Sequence, residues 1–130
     1  LGSYSFTGVT TLGLVDLSET TVTQIGAHTF MNCSALSKVL LPDGVTVIGD
    51  RVFAGCAKLT QITLPDALTS IGDSAFSSTG LTSIIIPNGV GTIGRFAFAN
   101  CPLTSIYYSG SATGSPWGAA DAQIYENNAI

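Results

Sequence analysis

Charge is scarce in this chain of 130 residues: four Lys and Arg and eight Asp and Glu leave a formal net charge of -4. No cluster of Lys and Arg exists to neutralise phosphates, which excludes nucleic acid as a partner. Histidine occurs once and cysteine three times, with no C-x-x-C pair, so no zinc site is expected. Long apolar runs are missing as well. Ile84-Ile85-Ile86 stops at Pro87, and nothing approaches the roughly 20 apolar residues of a membrane-spanning helix, although mean hydropathy is +0.46. No Ser sits in a nucleophile-elbow motif, and no Asp or Cys is positioned by the sequence to make His28 a general base. The chain has no initiator Met, signal peptide or anchor motif and begins inside a repeat, so it reads as a mature secreted product or a fragment of a longer array. With so little charge, solubility rests on neutral hydroxyls, 14 Ser and 16 Thr.

What the chain has in abundance is self-similarity. Ile25, Ile48, Ile71 and Ile93 are each followed by Gly, and five residues later comes Phe30, Phe53, Phe76 or Phe98. A weaker copy opens the chain with Leu1, Gly2 and Phe6. A fixed step of 22–24 residues marks a solenoid, in which one coil cannot bury its own apolar face and must stack on its neighbours. Five stacked coils are expected over residues 1–108, the first of them incomplete, followed by a capping segment over 109–130. In that segment Pro116-Trp117-Gly118 stands where the next Ile-Gly pair would fall. Trp117 is the candidate plug, and Ile124 and Tyr125 offer a last strand.

Inside a coil, Ile62 and Leu64 share one face and Gln61 and Thr63 the other, the period of a short β-strand. Pro42, Pro65 and Pro87 end the strands because Pro has no N–H for the ladder. A turn follows, then a second extended piece and Gly49, Gly72 or Gly94, glycine serving there for positive φ or for close approach of backbone. Asp50 and Asp73 are placed to cap a brief helical turn that carries each Phe inward. The Phe column and a row of Leu12, Leu36, Leu59, Leu81 and Leu103 form the expected core.

The order F-x-x-C-x-x-L-x-x-I-x-L-P followed by I-G-x-x-x-F is met by Phe53, Cys56, Leu59, Ile62, Leu64, Pro65, Ile71, Gly72 and Phe76. This pattern resembles the BspA-like (Treponema pallidum-type) leucine-rich repeat family over residues 1–108. Departures are small: Thr79 and Val9 replace Cys, and Ser18 replaces Pro. The resemblance implies a leucine-rich-repeat solenoid of about five 22–24-residue coils, with a parallel β-sheet on the concave face and short turns or helical turns on the convex side. It further implies a secreted or cell-surface protein whose repeats serve adhesion or protein binding.

Outward positions of the strands are where solenoids usually bind. One row is Leu14, Lys38, Gln61, Ser83 and Ser105; the other is Asp16, Leu40, Thr63, Ile85 and Tyr107. Leu40, Ile85 and Tyr107 are apolar on a face that alternation assigns to solvent, which marks an interaction surface or a normal scatter of exposed apolar residues. The candidate binding residues are Asp16, Lys38, Leu40, Gln61, Thr63, Ile85 and Tyr107. Cys33, Cys56 and Cys101 share one slot and read as small buried hydrophobes, with a Cys33–Cys56 disulfide as the other reading. His28 reads as a surface residue of the convex side. Asp43, Asp66 and Asn88 form a row that is better explained by turns than by calcium. Asn32-Cys33-Ser34 fits the glycosylation pattern, a three-residue match.

The expected role is a non-enzymatic extracellular binding or adhesion module, a monomer without cofactor or metal. Its partner would be a host or extracellular-matrix protein or another surface protein. Two other readings stand beside it: a carbohydrate-binding accessory module with Tyr107, Trp117 and Tyr125 as stacking platforms, and a structural spacer in a larger surface protein.

Overall fold

The structure, a computed structural model, describes residues 1–126; the last four positions of the expected capping segment lie outside the described residues. Among the described residues nine short strands follow one another: β1 (Leu14–Asp16), β2 (Gln24–Ile25), β3 (Lys38–Leu40), β4 (Val47–Ile48), β5 (Ser70–Ile71), β6 (Ser83–Ile85), β7 (Thr92–Ile93), β8 (Ser105–Tyr107) and β9 (Gln123–Tyr125). All pairings are parallel, and like slots pair with like: Val15 with Val39, Ile48 with Ile71, Ile84 with Ile106. Successive copies of the repeat therefore lie directly above one another.

The aromatic column is present as expected. Ring centroids from Phe6 through Phe30, Phe53 and Phe76 to Phe98 are 5.3 to 5.7 Å apart with nearly parallel planes. The four inner rings are buried, and burial of each contributes roughly 1.5–3 kcal/mol relative to exposure. Leu36, Leu59, Leu81 and Leu103 are buried beside them, while Leu12, in the first coil, is only half-buried. Phe6 and Leu1 are exposed at that end of the stack.

The short strands form one unbroken ladder, β2-β4-β5-β7. Glycine in the Ile-Gly slot is there for close approach rather than positive φ. A Cβ on Gly72 would lie 2.5 Å from Asp50 N, and one on Gly94 would lie 2.3 Å from Asp73 N. Asp50 and Asp73 do not cap helical turns, because among the described residues the convex side holds turns and no helix. Asp50 Oδ1 instead accepts the N–H of Asp73 at 2.8 Å, and Asp73 Oδ1 accepts the N–H of Arg95 at 2.9 Å. Each carboxylate thus bonds an N–H of the next coil and ties the two coils together.

The cysteines tie coils in another way. Cys33, Cys56 and Cys101 are free thiols, and each donates to the carbonyl of a Phe in the preceding coil: Phe6, Phe30 and Phe76, at 3.0–3.2 Å. Cys33 and Cys56 are buried, and Cys101 half-buried. Burial, reinforced by the neighbouring Cys33, pushes the Cys56 thiol up to about 12.

At the far end Trp117 is 3% exposed and packs edge-on against Phe98 and Tyr108. Its indole N–H donates to Thr113 O at 2.8 Å. Its place in the coil differs from the spacing argument. Phe53 and Phe76 donate their N–H to Ala75 and Ala97, the residue before the next Phe, and Phe98 donates to Trp117. Trp117 therefore occupies the slot before the Phe, four residues beyond the Ile-Gly position. Tyr108 is buried, donates its hydroxyl to Val90 O and accepts the N–H of Ala112 at 2.9 Å. Gly110 rests on that ring, where a Cβ would come within 2.3 Å.

Candidate binding face

Unlike the short-strand ladder, the long-strand face is in two pieces. One is β1-β3 and the other is β6-β8-β9. Between them lie residues 60–64, which carry the strand alternation of their neighbours but join neither sheet. Ile62 is half-buried, whereas its counterparts Val15, Val39, Ile84 and Ile106 are buried. The break leaves a groove of about 1020 Å³ lined by three successive coils.

Five of the candidate residues come together at this groove: Lys38 and Leu40 on one wall, Gln61 and Thr63 between, and Ile85 on the other wall. Leu40 is 38% and Ile85 50% exposed. Tyr107 stands next to Ile85 in register and stacks on Tyr125, ring centroids 5.3 Å apart, so Ile85, Tyr107 and Tyr125 make a continuous apolar and aromatic row. Asp16 ends β1 and stands beside Leu40 in register, on the far side of the groove from Tyr107. Ser18 donates its hydroxyl at 2.6 Å and its N–H at 3.0 Å to the Asp16 carboxylate, and these bonds, helped by Lys38, hold it below the usual carboxylate range.

The sequence pattern did not reveal the rim of the groove, made by Asp66, Pro87, Asn88 and Gly89 in the turns after the strands. In the sequence Asp66 and Asn88 read as turn residues rather than calcium ligands. Asn88 Oδ1 accepts the N–H of Ser109 from the next coil at 2.9 Å, so this position does work between coils as well as within its turn. His28 is not a freely exposed convex residue. It is half-buried under Tyr4, with ring centroids 4.5 Å apart, and its Nδ1 is buried without a hydrogen-bond partner. Asn32 of the glycosylation pattern is exposed in a turn with φ of 60°. Trp117, being buried, offers no face to a sugar ring.

Parallel strands in register, stacked coils and a consensus of inward Leu, Ile and Phe define a leucine-rich-repeat solenoid. The BspA type leucine-rich repeat profile matches residues 1–115 in six copies, and the chain belongs to that family. No curated protein sequence matches it. Among solved structures, a leucine-rich repeat protein from Bacteroides ovatus is 35% identical with a TM-score of 0.84, over 95% of this chain and 34% of that one. A leucine-rich repeat protein from T. pallidum is 33% identical with a TM-score of 0.85, over 98% of this chain and 62% of that one. A leucine-rich cell surface protein from Faecalibacterium prausnitzii is 32% identical with a TM-score of 0.60, over 84% of this chain and 36% of that one. The chain thus spans about a third of the Bacteroides protein and under two thirds of the T. pallidum protein.

Proposed function

We propose that the chain is a non-enzymatic, extracellular or cell-surface protein-binding or adhesion module, with residues 1–108 as the repeat body and 109–130 as its cap. The observation that carries this reading is the row Leu40, Ile85, Tyr107 and Tyr125, exposed or half-exposed on the long-strand face beside a groove. Outward positions of such a face have no packing role, so apolar residues gathered there mark an interaction surface. Its sparse charge, Lys38, Asp16 and Asp66, suits a protein partner better than a polyanion. The partner class is a host or extracellular-matrix protein, or another surface protein, met by a monomer. Membership of a family with a neighbour described as a cell surface protein supports the location.

The test is to immobilise the chain and probe it in parallel with extracellular-matrix proteins and a glycan panel. Saturable binding of a matrix protein that weakens at least tenfold in Tyr107→Ala and in Asp16→Lys, and is unchanged in Arg51→Ala, supports the reading. Binding confined to the glycan panel would replace it with a carbohydrate module. Silence on both would leave a structural spacer.

A further inference from the structure

The short-strand ladder ends at β7, and the cap does not extend it. In each earlier coil one left-handed residue sends its N–H to a carbonyl of the next coil: Tyr4 to Ala27, His28 to Asp50, Arg51 to Asp73 and Ser74 to Arg95, at 2.8–3.0 Å. Phe96 holds the same slot with φ of 59°, against 55–63° in the other four, so its N–H points the same way, towards the cap. Its partner there would be Ser115 O, two residues before the Trp117 O that takes the N–H of Phe98, and that bond is not made. The Ile slot is open in the same manner. Ile25, Ile48 and Ile71 each accept the N–H of the next coil's glycine, whereas among the described residues no donor reaches Ile93 O. Between these groups and the cap lies a cavity of about 410 Å³, closed on the cap side by Gly114, Trp117 and Gly118. Phe96, 54% exposed, forms one wall. Arg95 is the one charged residue of the lining. Asp73 Oδ1 takes its backbone N–H, and its guanidinium makes no ion pair among the described residues.

We propose that this cavity binds the α-carboxylate end of an apolar amino-acid residue, free or at the C-terminus of a peptide. The carboxylate accepts the Phe96 N–H and pairs with the Arg95 guanidinium, whose planar fork matches it; such charge-assisted bonds are roughly twice as strong as neutral ones. The N–H on the ligand's α-carbon donates to Ile93 O, three residues back in the same turn. Its side chain lies against Ile93, Phe96 and Trp117, the apolar side chains of the lining. A cation and a backbone donor beside a backbone acceptor match the charge and polarity of the α-carbon unit, and the apolar lining selects what it carries. The cavity volume falls within the roughly 300–1,000 Å³ of small-ligand pockets and suits one residue rather than a folded partner. No coil has to move, because the space is already open. The site lies at the end of the short-strand ladder and does not rest on the reading of the long-strand face as protein-binding.

The test is an NMR titration of the whole, isotope-labelled chain with four probes: L-phenylalanine, N-acetyl-L-phenylalanine, and the peptide acetyl-Ala-Phe ending in a carboxylate or in a carboxamide. A saturable downfield shift of the Phe96 amide is expected as it gains an acceptor, with at least tenfold weaker binding of the carboxamide peptide than of its carboxylate twin. Arg95→Gln should weaken the carboxylate probes at least tenfold and leave the carboxamide unchanged, and Phe96→Ser should weaken both peptides. Arg51→Gln, in the Phe96 slot two coils away, should change nothing. Arg95 and Phe96 are both exposed, and an unshifted Trp117 indole N–H in the free variants checks that the cap is intact. Equal binding of the two peptides, carboxylate binding indifferent to Arg95→Gln, or no saturable shift at Phe96 with any probe would overturn the proposal. Binding of the carboxylate peptide alone supports the site with a polypeptide terminus as its ligand. Binding of the two amino acids alone supports it with a free acid.

Discussion

The two sides of the stack are built from the same coils and are held to different standards. On the short-strand side the ladder β2-β4-β5-β7 is continuous, reinforced by Asp50 and Asp73 accepting N–H groups from the next coil and by Thr46 and Thr69 donating hydroxyls to carbonyls of the coil before. Glycine at 49, 72 and 94 lets backbones approach within the reach of those bonds. On the long-strand side the ladder opens at 60–64. The continuous ladder on the short-strand side holds the coils together, which leaves the long-strand side free to depart from regular pairing.

Breaking what both sides share should have the largest effect. Phe53→Ala, in the middle of the column, is expected to cost about 3–5 kcal/mol in denaturant unfolding, because coils tied along the short-strand ladder cannot collapse into the gap. The long-strand side can be compared with itself next. Ile106→Ala, buried in a paired strand, should cost about 2–5 kcal/mol, and Ile62→Ala, half-buried in the unpaired slot, less than half as much by the same measurement. Equal losses would mean that the third slot is as well packed as its neighbours.

The convex edge is probed by Gly72→Ala, whose new methyl must displace backbone; a loss of about 1–3 kcal/mol is expected. Gly44→Ala meets no atom within 4 Å and should stay within about 0.5 kcal/mol of the parent. Cys56 provides a pH-dependent check on the core between the two sides. Below pH 9 the thiol is protonated in folded and unfolded chains alike. Above its ordinary value of 9.0 the unfolded chain loses the proton while the folded chain keeps it to about 12. Stability should therefore fall as pH rises from about 9 towards 12, by on the order of 1 kcal/mol per pH unit from this thiol, and Cys56→Ala should lack that component in urea titrations across the range. A small effect of the opposite sign is expected at Arg51, exposed on the convex side with φ of 55°, a conformation Asn tolerates better than Arg. Arg51→Asn should raise stability by up to about 1 kcal/mol in the same assay.

Much of the fold was legible because each slot repeats with a residue type that has one physical use. Phe in one slot reads as a column, Ile and Leu alternating with Gln and Thr read as strands, and Pro reads as their end. Candidate residues Lys38, Leu40, Gln61, Thr63 and Ile85 were reached by counting outward positions, and the structure places them around one groove. The groove itself was not legible. Gln61-Ile62-Thr63 has the strand composition of Ser83-Ile84-Ile85, and nothing in local propensity separates a paired slot from an unpaired one. Asp50 and Asp73 were misread for a related reason, since a cap and an inter-coil acceptor require the same side chain and differ only in which N–H is nearer.

The period, the inward and outward faces and the aromatic column were determined by the sequence alone, because each follows from residue type at a fixed step and from the need to hide apolar area from water. The open third slot, the seat of Trp117 and the ladder made by Asp50 and Asp73 were decided by tertiary structure. Each depends on how closely one coil approaches another, a distance set by packing along the whole stack.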